Sequence, residues 1–100
     1  MARNRLYRLE PDQVLVLDVQ ADLLESLNTR VVVPLLRKSE APAPAKILNP
    51  IFTIEGESFV MATQFLSAVS VSQLGGNRSG AWMGLFPEIT RALDMLFQGF

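Results

Sequence analysis

Along this chain the apolar positions fall into short runs with the period of strands, and only at the end do they take the period of a helix. Arg5–Leu9 alternates weakly and predicts a short strand. Turn chemistry follows in Glu10-Pro-Asp-Gln13, and Val14-Leu-Val-Leu-Asp-Val19 is a β-branched, apolar strand. Its apolar residues point both ways, which predicts a central strand covered on both faces, or one covered on one face by a partner chain. Ala21–Asn28 mixes polar residues with Leu23, Leu24 and Leu27 and reads as a wide connection. Thr29–Leu36 is the next strand, with Pro34 predicting an edge, a bulge or the strand's end. The Ala/Pro segment within Arg37–Ala45 favours polyproline II and predicts an exposed loop.

Strand character resumes at Ile47–Ile54. Glu55-Gly56 is a hairpin signal that brings Ser58–Thr63 back against it. A break at Gln64–Ser67 precedes Ala68-Val-Ser-Val-Ser72, which places Val69 and Val71 on one face. Leu74–Gly80 is rich in glycine and polar residues and predicts flexibility. It lacks the lysine and following helix of a phosphate-cradling loop. Ala81–Leu85 leads apolar into the last element, with Trp82 as a packing residue.

The period then changes. Ile89, Ala92, Leu93 and Leu96 recur at three and four residues, a helical stripe that runs from Pro87 almost to the last residue. Pro87 suits the first turn, Glu88 favours the helix dipole there, and Gly99 supplies a left-handed stop. Chain ends usually fray, so a helix this well punctuated at the end marks it either as a closure of the core or as a working tip. Several strands and one long terminal helix predict a mainly β or α+β domain, an antiparallel sheet or small barrel with a helix on it. One hundred residues suffice for a single domain over 1–100 with its own core.

Composition narrows the chemistry. There is neither cysteine nor histidine, so disulfides, thiolate nucleophiles, cysteine-ligated metals and Ser–His or Cys–His pairs are all excluded. No cofactor, metal or catalytic residue is expected. A net charge of −1 gives no global attraction for nucleic acid; the local cluster Arg3, Arg5 and Arg8 reads as a solvent-facing first strand with a free end. No apolar run approaches the roughly 20 residues of a membrane helix, and no signal-peptide core follows the first arginines. A cytoplasmic protein is expected.

Four segments in order resemble the CcdB family of toxins from bacterial toxin–antitoxin pairs. They are Leu17–Leu24, Thr29–Leu35, Leu48–Phe59 continuing through Met61-Ala-Thr63, and the terminal helix ending Met95-Leu-Phe-Gln-Gly-Phe100. The resemblance spans nearly the whole chain. It implies a non-enzymatic homodimer of SH3-like barrels, each with an antiparallel sheet and a long C-terminal helix. It also implies the DNA gyrase A subunit as target and a neutralising CcdA-like antitoxin as partner. In the family the tip is an aromatic-Trp-Gly-Ile ending whose tryptophan stacks on a gyrase arginine and traps cleaved DNA.

Carried over residue by residue, Phe97 matches the aromatic, Gly99 the glycine, and Phe100 replaces the isoleucine with another apolar residue. Gln98 stands where the tryptophan belongs and has no π-system for a cation. The resemblance thus implies gyrase binding by Phe97, Gln98, Gly99 and Phe100, and antitoxin binding by Asp18, Gln20, Leu23, Leu24 and Asp94. Leucines such as Leu23 and Leu24 are more often core than interface. Asp18, inside an apolar strand, needs a partner if buried, and Arg30 is a candidate. Two alternatives stand beside gyrase poisoning: a CcdB-like protein that binds antitoxin without poisoning gyrase, and a MazF-like endoribonuclease of the same barrel architecture. The second lacks that group's Arg-Gly and Arg-Pro segments here.

Overall fold

The computed structural model describes residues 4–10, 14–21, 24, 26–74 and 86–99. In chain order they form β1 (Leu6–Leu9), β2 (Val14–Asp18), β3 (Thr29–Arg37), β4 (Ile51–Ile54), β5 (Glu57–Met61), β6 (Ser67–Ser70) and α1 (Pro87–Gln98). Short 3-10 turns lie at Thr63–Phe65 and Val71–Gln73. All strand pairings are antiparallel, in the order β1-β2-β3-β5-β4, with β6 also pairing β3. The α+β expectation holds. The sheet does not close into a barrel among the described residues, because β1 and β4 end the path unpaired with each other.

The nine-residue β3 is the spine. One flank pairs with β2 through Val32–Pro34. The other is shared: β6 takes Thr29–Val32 and β5 takes Leu35–Arg37. Pro34 sits inside this strand, not at an edge or an end. On the shared flank β6 stops opposite Val32 and β5 starts opposite Leu35, so a residue without an N–H falls where the partner changes. Its carbonyl is still used, accepting from the Ala62 N–H at 2.9 Å.

Alternation along β2 and β3 divides the core between the two faces of the sheet. Leu17, Val19, Val33 and Leu35 face one way and join Leu6, Phe52, Phe59 and Met61 in the main cluster, which Ile89 and Ala92 of α1 cover. Val16 and Val32 face the other way with Tyr7 and Leu74. The register agrees with this division, since Leu6 opposes Leu17, Tyr7 opposes Val16 and Phe52 opposes Phe59. Both faces of the central strand are therefore covered within one chain, each large side chain adding about 1.5–3 kcal/mol on burial.

Two boundaries differ from the sequence reading. Only Ile51–Ile54 of the Ile47–Ile54 run is strand. Asn49 intervenes: its Oδ1 accepts from the Ala45 N–H, and its Nδ2 donates to the Met61 carbonyl and to Gln64 Oε1. β6 ends at Ser70 because Ser70 caps a 3-10 turn in a reciprocal pair with Gln73, which takes Val71 out of the alternation. The hairpin turn is as predicted, with Glu55 and Gly56 both at positive φ (51° and 81°). The run to Gly80 that the sequence predicts to be flexible, Trp82 and the apolar approach to the helix lie outside the described residues, apart from Leu74, which is buried.

Candidate binding surface: the helix tip and the segment after β2

Helix α1 begins as its sequence dictates. Phe86 is the N-cap, Pro87 follows at the first helical position and Glu88 lies in the first turn. The Phe86 ring packs against Phe52 of β4 with centroids 5.5 Å apart, which fixes the entry of the helix onto the sheet. Burial then declines along the helix. Ile89 and Ala92 are buried, Leu93, Met95 and Leu96 are half-buried, and Phe97, Gln98 and Gly99 are exposed. Phe97 leaves 69% of its surface in solvent, the most of the large hydrophobic side chains among the described residues. The stripe holds the helix to the sheet as far as Leu96, and only Phe97, Gln98 and Gly99 stand clear of it.

Gly99 ends the helix with φ 80°, ψ 14°, and its N–H donates to the Met95 carbonyl at 3.0 Å. A Cβ added there would meet nothing within 4 Å, so only the backbone resists substitution. Gly99→Ala is expected to lose about 1 kcal/mol of helix-end stability, read as faster amide exchange at Gln98 and the substituted residue, with no change at Ile89. Phe100 lies outside the described residues.

The second group surrounds the end of β2. Asp18 and Arg30 are both fully buried and form a bidentate pair, Nε to Oδ2 at 2.8 Å and Nη2 to Oδ1 at 2.9 Å. This is the partnership that a carboxylate in an apolar strand requires. Arg30 Nη2 also reaches the Gln20 carbonyl at 3.4 Å, while Nη1 has no hydrogen-bond partner among the described residues. Gln20 is buried as well. Its N–H donates to Asp18 Oδ1, its Oε1 accepts from the Val31 N–H, and its Nε2 donates to the Leu24 carbonyl, each at 3.0 Å. Asp18 and Gln20 therefore lie behind the segment that follows, and neither side chain presents a surface to a partner.

Leu24 and Leu27 do present one, each about half exposed. Leu23 lies outside the described residues. Asp94 is exposed on α1 and lines a shallow concavity with Ile47, Pro87, Thr90 and Arg91. No hydrogen bond or ion pair among the described residues joins the helix tip to the segment after β2. Nor does any group of acidic residues there have the makings of a metal site. No described helix is long and apolar enough to cross a membrane.

The family model for the CcdB protein matches residues 3–99, which takes in the sheet, the Asp18–Arg30 pair and the helix through Gly99. The chain belongs to the CcdB family. It is accordingly a toxin of a toxin–antitoxin system. No individual curated protein matches the sequence significantly. Within this CcdB-family chain, sequence reasoning found the Asp18–Arg30 pair and the capped helix end. It missed the Gln20 hub and the Asn49 anchor. Their only local signals were a glutamine closing a strand and an Asn-Pro pair.

Proposed function

We propose that this chain inhibits DNA gyrase by binding its A subunit through Phe97, Gln98, Gly99 and Phe100, and that it works as a cytoplasmic homodimer. The observation that carries this reading is the exposed end of α1, Phe97 to Gly99, capped by a left-handed glycine and bearing an exposed phenylalanine. An exposed aromatic on a rigid element is the form an interface anchor takes, since little entropy is lost on docking it. A CcdA-like antitoxin neutralises the toxin by covering Leu23, Leu24 and neighbouring Leu27 together with Asp94. Two half-exposed leucines in one short segment suit an amphipathic partner.

Purified chain added to gyrase and supercoiled DNA is expected to raise the yield of linear, cleaved DNA. It is also expected to lower the supercoiling rate, and an excess of antitoxin should reverse both effects. Normal supercoiling at micromolar toxin, with no cleavage product, would reject gyrase as the target. A second reading is favoured by Gln98: a CcdB-like protein that binds antitoxin and leaves gyrase unharmed. Tight antitoxin binding with no effect on gyrase would select it.

A further inference from the structure

Gln20, backed by the buried Asp18–Arg30 pair, makes bonds that reach in two directions. Toward the sheet, Oε1 holds the Val31 N–H of β3. Toward the surface, Nε2 holds the Leu24 carbonyl, which also accepts from the Leu27 N–H at 3.1 Å. The Leu24 N–H in turn donates to the Ala21 carbonyl at 3.0 Å. One amide side chain thus ties the turn carrying Leu24 and Leu27 to the central strand. The Gln20 backbone is held as well, its N–H by Asp18 Oδ1 and its carbonyl by Arg30 Nη2. Leu24 and Leu27 are each about half exposed, so hydrogen bonds to the Leu24 carbonyl count for more in holding them than they would for buried side chains.

We infer that Gln20 is a positioning residue for partner recognition: with Asp18 and Arg30 behind it, it holds Leu24 and Leu27 in the geometry in which the antitoxin takes them. The inference rests on the reading of that segment as antitoxin-binding surface. Gln20 touches no partner itself. Preorganising the two leucines removes an ordering cost that would otherwise weaken binding.

Gln20→Met keeps the length and apolar stem of the side chain and removes both side-chain bonds. Gln20→Glu keeps the acceptor for the Val31 N–H and removes the donor to Leu24. The probe is a purified CcdA-like antitoxin, with amide exchange of the free toxin as the second measurement. Both variants are expected to speed exchange at Leu24 and Leu27 at least about tenfold, with Val33 and Met61 unchanged, and to weaken antitoxin binding about tenfold. In Gln20→Glu the Val31 amide should stay protected, a separation that general destabilisation would not produce. Unchanged exchange at Leu24 and Leu27, or an equal rise at every amide, overturns the inference. Leu24→Ala distinguishes the two levels. If it weakens the antitoxin while the Gln20 variants do not, positioning is wrong; if none of the three does, the surface reading itself has failed.

Discussion

Replacing Arg30 by alanine is expected to remove about 3–5 kcal/mol of stability, because it leaves the Asp18 carboxylate buried with its bidentate partner gone. A domain of this size has about 5–15 kcal/mol in total, so the variant should be barely folded at 37 °C. The loss is comparable to that of a large core truncation, and the guanidinium's contact with the Gln20 carbonyl goes with it. Its fully buried position gives solvent no route to replace it. The attraction within the pair does not make it a strong net contributor. Desolvating two ions offsets most of that attraction, and the unpaired Nη1 adds to the cost. The double variant Asp18→Val with Arg30→Met is therefore expected to recover most of what Arg30→Ala loses. Urea denaturation of the two variants at one fixed protein concentration would show this. If Arg30→Ala alone shifted the transition by less than about 1 kcal/mol, the pair would have to be open to water in solution.

How far such features can be read in advance depends on whether their causes are local. Gly56 and Gly99 were legible because a positive φ is a demand that a single residue must meet. The helix was legible because its stripe, its proline and its glycine agree. Asp18 announced itself by being charged in an apolar strand, which left few residues able to answer it. Pro34 was legible as an anomaly and misplaced as a boundary. Its tolerance inside β3 comes from two strands meeting opposite it, and that is a property of residues 61 and 67. Gln20 and Asn49 were hidden for the same reason: beside one partner four positions away, each bonds to residues eleven to fifteen positions away, at Val31, Met61 and Gln64. The open sheet follows likewise from which strands meet, since β1 and β4 read as ordinary short strands in isolation. The tip is a mixed case. Its composition could be read, but its exposure depends on where the sheet ends beneath the helix.

If the tip binds gyrase as proposed, Gln98→Trp is expected to strengthen that binding about thirtyfold, the equivalent of one aromatic hot spot worth about 2 kcal/mol. Position 98 is exposed and lies between an exposed Phe97 and a glycine already in its capping conformation. The indole therefore meets no steric barrier in the described structure, and its effect on stability should stay within about 0.5 kcal/mol. What it adds is a flat π face at the tip, able to sit on an arginine of the partner where a glutamine amide offers only hydrogen bonds that water offers equally well. The gain should appear as a lower toxin concentration for half-maximal DNA cleavage by gyrase, with the Phe97→Ala, Gln98→Trp double variant falling short of it. Antitoxin affinity should change less where it depends on Leu24, which lies outside α1, than where it depends on Asp94, which stands one helical turn before Gln98 on the same face. A folded Gln98→Trp protein that leaves gyrase untouched would show that recognition does not run through this end of the helix. The exposed Phe97 would then need another partner.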